Sequence, residues 1–457
     1  MNLAHRILLI PTGRQNAYFW RACGTKRFVW NEALRAWNDQ FACATEAAKA
    51  ASVVAKTNGL CGADAKRFVK AAVDEVGGWP NASVLKTAFN EHKYYAFPWL
   101  EGIHRDTHAQ PFADLQDAFV RYRKGLAKKP KFKKKHKCRD SFYVANDKLS
   151  VDSKQIKLPI VGWVEMQESL RFAGKIMSAT VSRTADKWFV SISVETETPR
   201  PIKLKKDGTA RLSALPLPEA ERSESVGADL GLTHLVTLST GEAVDAPKPL
   251  KTALGRLRRE SRAQARKFAA GKLAFPGDKH YRSNNWRKGN ARLSRLHARV
   301  ARIRLDFTHK LTTRLCRENQ AVGIEDLHVK GMLANHKLAR AISDVLWGEL
   351  RRQLTYKAPI YRTRLVVANR FFPSSKTCWC CGAVKEVLSL RERTFECPCG
   401  WVCNRDQNAA LNLDDITYPG LPGKRRLRTG RIGTATSVAE QPSLAEAGTS
   451  CPLVGTS

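Results

Sequence analysis

The sequence predicts a multidomain α+β protein, and three observations support this fold class. The first 125 residues carry apolar side chains at helical spacing, and segments of alternating apolar and polar residues follow them. Six of the twelve cysteines lie between Cys378 and Cys403, which predicts a small metal-binding module near the C-terminal end. A chain of 457 residues that is 43% apolar has room for several domains with cores of their own.

The charge of the chain points to a polyanionic partner. The formal net charge is +36, the pI is near 10.0, and the basic residues are spread along the whole chain. Each phosphate that a lysine or arginine neutralises releases counterions, so nucleic acid is the expected partner. The sequence has no apolar run of about eighteen residues, as a membrane span needs, and residues 1–11 are too short for a signal peptide. We therefore expect a cytoplasmic protein without a membrane partner, whose cysteines bind metal rather than form disulfides.

The N-terminal quarter predicts one strand followed by a helical domain. Residues 3–10 alternate as a strand does, and Pro11 and Gly13 end it. Aromatic and leucine side chains then recur at intervals of four, three and four, the spacing of a buried helical stripe. The stripe consists of Trp30, Leu34, Trp37 and Phe41. Further helices are predicted at 63–76, 83–93 and 111–123.

A basic segment, residues 121–139, separates the helical domain from the next one. Lysine or arginine occupies most of its positions, and Tyr122 and Phe132 are interleaved with them. Such a run is either a solvated face or a groove that follows a phosphate backbone and stacks bases. The lysines predicted to contact nucleic acid are Lys128, Lys129, Lys131, Lys133, Lys134 and Lys135.

Strand patterns at 142–151, 156–166 and 179–194 predict a small β-barrel after this segment. The N-terminal strand is a candidate for its first strand. The proline-rich, charged stretch that follows, residues 198–225, is predicted to be a linker.

Three acids from distant segments are candidate catalytic residues. Asp229 ends a short apolar strand, Glu325 ends another, and Asp406 opens a helix. A buried strand rarely carries an unpaired carboxylate, because desolvation is costly. Converging acids repel one another unless divalent cations lie between them, and this is the arrangement of a two-metal nuclease. The alternative is that each acid is a separate cap or turn residue.

The cysteine spacing predicts a zinc ribbon. Two close pairs are separated by fifteen residues, each pair is followed by a glycine, and the span between them alternates as a hairpin does. The predicted ligands are Cys378, Cys381, Cys397 and Cys399. The alternative is a set of buried free cysteines.

Four motifs resemble the TnpB (OrfB-type) family of transposon-encoded RNA-guided DNA endonucleases, which is related to type V CRISPR effectors. They are VGADLGL around Asp229, GIEDL around Glu325, FPSSKTCWCCG at 372–382 and NRDQNAALNL at 404–413. The resemblance extends over residues 20–416.

The resemblance implies a RuvC-like nuclease of the RNase H fold, in which Asp229, Glu325 and Asp406 hold two Mg²⁺ ions. It also implies a zinc ribbon before the last acid, an OB-like wedge barrel and a helical recognition domain. Such a protein binds a guide RNA from the transposon end and cuts double-stranded target DNA, and a separate transposase and the oligomeric state are left open.

The resulting domain boundaries cover the whole chain. They are 1–10 for the first barrel strand, 11–125 for the helical domain, 126–200 for the wedge barrel, 201–225 for the linker, 226–373 for the nuclease domain, 374–403 for the zinc ribbon, 404–416 for the last nuclease helix and 417–457 for a disordered tail.

Two departures from the family pattern leave alternatives open. The second cysteine pair is one residue shorter than a CxxC pair, so Cys380 and Cys403 are alternative zinc ligands. Asn404 replaces the first acid of the family's Asp-Arg-Asp. The competing functions are a nuclease-inactive RNA-guided DNA-binding regulator, a non-enzymatic zinc-ribbon nucleic-acid-binding protein and a cut-and-paste transposase.

Overall fold

The computed structural model describes residues 2–135, 137–196, 217–274, 283–389 and 391–417. The chain divides into two compact units, Met1–Pro201 and Ile202–Ser457. Residues 198–216 of the predicted linker and residues 418–457 of the predicted tail lie outside the described residues. Within the described part, no helix is both long and apolar enough to cross a bilayer.

The first unit begins with a strand and four helices, which confirms the helical prediction for this part of the chain. They are β1 (Asn2–Ile10), α1 (Gly13–Thr57), α2 (Gly62–Glu75), α3 (Ala82–Ala96) and α4 (Arg105–Arg123). Helix α1 starts with a capping box, in which Thr12 accepts from the Gln15 amide while the Gln15 side chain accepts from the Thr12 amide. Helix α4 begins earlier than the predicted start at Pro111, because the burial of Pro111 with its neighbours offsets the one backbone bond that proline removes.

The aromatic stripe of α1 is buried except at its end. Trp30, Leu34 and Trp37 lie in the helical core, and the Trp37 ring stacks on Phe119 with centroids 4.5 Å apart. The prediction for Phe41 was wrong, since its side chain is 50% exposed. Its aromatic neighbour is Trp79, which is itself half exposed, so the helical core ends before this position.

A seven-stranded antiparallel sheet completes the first unit. Its other strands are β2 (Ser141–Ala145), β3 (Ser150–Asp152), β4 (Gln155–Leu158), β5 (Gly162–Met166), β6 (Lys175–Thr184) and β7 (Lys187–Glu195). The order is β2-β6-β7-β1-β5-β4-β3, so the N-terminal strand joins this sheet as predicted. Strands β2 and β3 are its edges, and closure into a barrel stays a prediction. The predicted strand at 142–151 is two strands, because a 3₁₀ turn at Asn146–Lys148 interrupts it.

A five-stranded mixed sheet forms the centre of the second unit. Its strands are β8 (Ser223–Asp229), β9 (Val236–Leu238), β10 (Ala243–Val244), β11 (Asn319–Ile324) and β12 (Arg364–Val367), in the order β10-β9-β8-β11-β12. Strands β8, β11 and β12 run parallel, whereas β9 is antiparallel to β8 and β10. The predicted linker end at residue 225 was wrong, because Ser223 and Ser225 already pair with β11.

Helices connect the parallel strands of this sheet. They are α5 (Pro249–Ala274), α6 (Asn284–Glu318), α7 (Val329–Met332), α8 (Ala339–Val345) and α9 (Trp347–Tyr361). The cysteine module contributes β13 (Thr394–Glu396) and β14 (Val402–Asn404), and α10 (Arg405–Asp415) follows it.

Helix α10 packs directly on the backbone of β8 and β11. A Cβ atom on Gly227 would overlap the Ala410 carbonyl, and one on Gly323 would overlap the Leu413 carbonyl. Two glycines therefore allow the helix that carries Asp406 to approach the strands that lead to Asp229 and Glu325.

Two sequence predictions for this unit need correction. The hairpin predicted between the cysteine pairs does not extend through Val387 and Ser389; the antiparallel pairing is instead between β13 and β14, across the turn that holds Cys397 and Cys399. Thr417, assigned to the tail, is buried and its hydroxyl donates to the Asp414 carbonyl at 2.7 Å, so it completes the end of α10.

Candidate acid and metal sites

Strand register brings Asp229 and Glu325 to the same edge of the mixed sheet. Ala228 pairs with Ile324 in the parallel β8–β11 ladder, and the two acids are the next residues along each strand. Asp406 lies in the first turn of α10, where the Asn404 side chain accepts from its amide at 2.9 Å. Asn404 thus caps the helix. Asparagine is a preferred N-cap residue, as is the aspartate that it replaces in the family's Asp-Arg-Asp.

The electrostatics of Asp229 show that the three acids interact. Its pKa is raised well above the ordinary range of an aspartate, first by burial and then by the negative charges of Glu325 and Asp406. A hydrogen bond with Glu325 acts in the same direction, and Arg405 partly opposes the shift. Three ionised carboxylates at this edge therefore require a compensating positive charge.

The segment after β11 is fixed by contacts that the sequence did not reveal. The Ser374 hydroxyl donates to Glu325 Oε1 at 2.8 Å. The neighbouring Asp326 accepts from Arg351 and from Arg370, at 2.9 Å for the latter. Hydrogen bonding from Arg351 is the main cause that lowers the pKa of Asp326. Ser374 lies in the FPSSK motif, which was the one sequence signal that could have identified it.

The four predicted cysteines come together. In the part of the chain that the structure describes, their sulfur atoms lie within 4.8 Å of one another and form the one such compact group of possible metal ligands. The Cys378 and Cys399 sulfurs are 3.7 Å apart, and those of Cys381 and Cys397 are 3.6 Å apart. Zn–S bonds of about 2.3 Å in a tetrahedron place sulfurs about 3.8 Å apart, so the spacing fits one zinc ion. Asp229, Glu325 and Asp406 do not meet this 4.8 Å limit among the described residues.

Cys403 belongs to the core of the cysteine module and lies outside this sulfur group. It is 3% exposed, packs with Phe395 and Trp401, and its thiol donates to the Asn404 carbonyl at 3.4 Å. The Cys380 side chain packs against the same core. Apolar packing in the core of the module accounts for Cys403, which the sulfur group does not include.

A buried asparagine attaches α10 to the cysteine module. The Asn408 side-chain oxygen accepts from the Trp379 amide at 3.1 Å and from the Trp401 indole at 3.2 Å. Its amide nitrogen donates to the Thr377 carbonyl at 2.7 Å. Asn408 is fully buried, so these bonds hold the helix of Asp406 against both ends of the module.

In the other unit, the lysines of the basic segment differ in environment. Five of the six predicted contacts are exposed: Lys128, Lys129, Lys131, Lys134 and Lys135. The Lys133 ammonium instead lies 3.3 Å from the centroid of the Trp30 ring, and burial lowers its pKa to about 8. The backbone amide of Lys133 donates to the Asn31 side-chain oxygen at 2.7 Å, and the Asn31 side-chain nitrogen donates to the Lys133 carbonyl at 3.0 Å. Lys133 therefore anchors the segment to α1, while its neighbours face solvent.

Comparison with known proteins identifies the family. A relative from Streptomyces pristinaespiralis, named "Putative RNA-guided DNA endonuclease", is 37% identical over 354 residues, which are 74% of this chain and 79% of the relative. The chain belongs to the TnpB family. A relative from Escherichia coli K12, named "Putative RNA-guided DNA endonuclease InsQ", is 28% identical over 94% of this chain and 95% of its own length. TnpB membership confirms the resemblance on which the motif interpretation rests.

Family models match three parts of the chain. Their descriptions are "Probable transposase" for residues 191–336, "Cas12f1-like, TNB domain" for 347–413 and "Helix-turn-helix domain" for 1–46. Residues 13–46 form part of the single helix α1, with no turn between two helices. A solved structure of CasPhi-2 (Cas12j) bound to crRNA aligns with 90% of this chain and 97% of that chain, at 12% identity and a TM-score of 0.34.

Proposed function

We propose that the protein is a transposon-associated RNA-guided DNA endonuclease that hydrolyses phosphodiester bonds of target DNA. The observation that carries this proposal is the convergence of Asp229, Glu325 and Asp406 at one sheet edge, where the pKa of Asp229 responds to both other acids. Family membership supports the same activity, because the relatives bear the name of RNA-guided DNA endonucleases.

The sheet topology supports a RuvC-like, RNase H-type nuclease domain. An antiparallel meander of three strands is followed by two strands parallel to the first, in the order β10-β9-β8-β11-β12. Ligands of such open sheets bind beyond the carboxyl ends of parallel strands, which is where β8 and β11 place Asp229 and Glu325.

The acid cluster fits magnesium. Carboxylate oxygens are the hard ligands that Mg²⁺ prefers. Burial first, and then the repulsion from Glu325 and Asp406, raise the pKa of Asp229, and divalent cations offset that repulsion. Asp229, Glu325 and Asp406 would hold two ions. When bound, two ions neutralise charge on the phosphate and favour deprotonation of an attacking water. The protein's part is to keep the carboxylates in place through strand register, the Asn404 cap and the Ser374 hydroxyl.

Nucleic-acid binding follows from the charge of the chain. A net charge of +36 is suited to a guide RNA and a DNA duplex, and the exposed lysines of residues 128–135 offer phosphate contacts in the first unit. The four cysteines would hold one structural Zn²⁺ ion, which fixes the segment directly before Asp406.

The nuclease-inactive regulator is the second candidate, and the presence of all three acids favours the enzyme over it. The test is to sequence the RNA that co-purifies with the protein, replace its guide segment, and incubate the complex with Mg²⁺ and a matching DNA library. Cutting that follows the new guide supports the enzyme. Guide-directed binding without cutting supports the regulator, and strand joining without RNA supports a transposase.

A further inference from the structure

Ser374 connects the acid cluster to the rest of the second unit. Its hydroxyl donates to Glu325 Oε1 at 2.8 Å, and the residue is 5% exposed. A serine hydroxyl has a single hydrogen, so this donor is committed to the carboxylate. The Ser374 hydroxyl therefore holds one oxygen of a carboxylate whose charge acts on the neighbouring Asp229.

The backbone of Ser374 is held in turn by α10. Both hydrogens of the Asn412 amide are used: one goes to the Ser374 carbonyl at 2.8 Å and the other to the Thr377 carbonyl at 2.7 Å. Asn412 is 2% exposed, so its amide has these carbonyls rather than water as acceptors. Asn408, one turn earlier on the same helix face, also donates to Thr377.

These bonds join the cysteine module to the acid cluster. Asn408 contacts Thr377 and Trp379, the residues on either side of Cys378. Asn412 shares Thr377 with Asn408 and continues to Ser374. A series of buried and partly buried hydrogen bonds thus runs from the residues that flank Cys378, through two asparagines of α10 and Ser374, to Glu325.

We propose that Ser374 is a positioning residue for Glu325, and that Asn412 sets the place of Ser374 relative to the helix that carries Asp406. The hydroxyl fixes one carboxylate oxygen of Glu325 and so limits the orientations of the side chain that would ligate a divalent cation. The cysteine module then orients two of the three acids: Asp406 through the chain itself, and Glu325 through Asn412 and Ser374. This inference rests on the proposed metal centre.

The test measures Mn²⁺ binding directly, by the electron paramagnetic resonance signal of free Mn²⁺, with the full-length zinc-loaded protein. Ser374→Ala removes the donor, Ser374→Cys keeps the shape with a weak donor, and Ser374→Thr keeps the hydroxyl. We expect the Mn²⁺ dissociation constant to rise roughly tenfold in the Ala and Cys variants and to return to within about threefold of the wild-type value in the Thr variant. Bound zinc is expected to stay at the wild-type level in all three.

Two references make the result decisive. Ser375→Ala changes the adjacent, half-buried serine and leaves the Ser374 hydroxyl on Glu325, so this variant is expected to bind Mn²⁺ as the wild type does. Asp229→Asn is expected to lose Mn²⁺ binding. If Asp229→Asn loses Mn²⁺ while the Ala and Cys variants of Ser374 keep the wild-type affinity, the positioning role is overturned alone. If Asp229→Asn also keeps it, the metal centre fails and the positioning role fails with it.

Asn412→Ala tests the other half of the chain of bonds, with Asn412→Thr as a milder second variant. If Asn412 acts through Ser374, each Asn412 variant weakens Mn²⁺ binding when it is the single change. Combined with Ser374→Ala, it should raise the Mn²⁺ dissociation constant little beyond that of Ser374→Ala. Additive losses, or an unchanged dissociation constant in both variants, would overturn the link from Asn412 to Glu325.

Discussion

Ala228 and Ile324 are direct partners in the parallel β8–β11 ladder, and this pairing sets Asp229 beside Glu325. A shift of one residue in the register would turn one of the two acids to the opposite face of the sheet. The same ladder pairs Gly227 with Gly323, where α10 packs on the strand backbone, and a shift would bring a residue with a Cβ atom to one of these positions, where it would overlap the helix. Core packing therefore determines the geometry of the acid cluster.

Asp229→Ala is expected to lower target cleavage by at least about a hundredfold, because it removes the buried carboxylate on which the charges of Glu325 and Asp406 act. Guide and target binding should change little, since base pairing and lysine contacts supply that affinity. Single-turnover cleavage and filter binding measure the two effects. The matched control is Asp306→Ala, an exposed aspartate that pairs with Lys310 on the surface of α6. Cleavage at the wild-type rate by Asp229→Ala in Mg²⁺ would contradict the assignment.

The raised pKa of Asp229 predicts how stability depends on pH without Mg²⁺. The folded state holds the proton of this carboxyl more tightly than the unfolded state, so its contribution is present at low pH and is lost as pH rises above the ordinary aspartate value of about 4. The melting temperature of Asp229→Asn minus that of the wild type should therefore increase with pH from about 4 upward. Thermal melts in chelator-free, magnesium-free buffer measure this difference.

Addition of Mg²⁺ at neutral pH should raise the melting temperature of the wild type above that of Asp229→Asn. The wild type binds the cations, which offset the repulsion between its carboxylates, and the variant does not bind them. Asp306→Asn is the control and should follow the wild type at every pH. A melting difference that is flat with pH would show that Asp229 does not carry a shifted proton.

The sequence predicted those parts of the site that depend on local pattern. A residue directly after a short apolar strand lies at a sheet edge, so Asp229 and Glu325 were identifiable, and cysteine spacing identified the four thiols. The pair of Ser374 and Asn412 was not identifiable, because their contacts exist only in the folded unit. Ser374 bonds Glu325 across 49 residues of sequence, and Asn412 bonds Ser374 across 38. The exposure of Phe41 was missed for the same reason, since helical periodicity does not show where a neighbouring element ends.

The two environments of the lysines predict two kinds of variant. Replacing Lys134 and Lys135 by glutamine should weaken RNA binding and lower the slope of log K against log salt by about 1.4 to 1.8, because each exposed lysine neutralises about one phosphate. Lys133→Gln should instead lower the melting temperature through loss of its contact with Trp30 and change the salt slope less. Salt titrations and thermal melts separate the two. Equal slope changes for Lys133 and Lys134 single variants would contradict this division.

Removal of one thiol tests whether the cysteine module positions the acids. Cys378→Ser should lower bound zinc by one equivalent, as measured by metal analysis, because its sulfur is one of the four that lie within 4.8 Å. Loss of the ion frees Thr377 and Trp379, the residues that Asn408 binds, and Asn404 and Arg405 alone separate the module from Asp406. A displacement of about 1 Å at a catalytic group costs on the order of a hundredfold in rate, so cleavage should fall while RNA binding in the other unit persists.

Two cysteine controls determine what this result means. Cys43→Ser changes an exposed thiol of α1 and should leave zinc and cleavage unchanged. Cys403→Ser should keep the zinc and lower the melting temperature, because Cys403 packs in the core of the module with Phe395 and Trp401 and lies outside the sulfur group. If Cys403→Ser loses zinc and Cys399→Ser keeps it, the ligand set is wrong. If Cys378→Ser loses zinc and still cuts at the wild-type rate, Asp406 and Glu325 are held by β8, β11 and α10 without help from the metal.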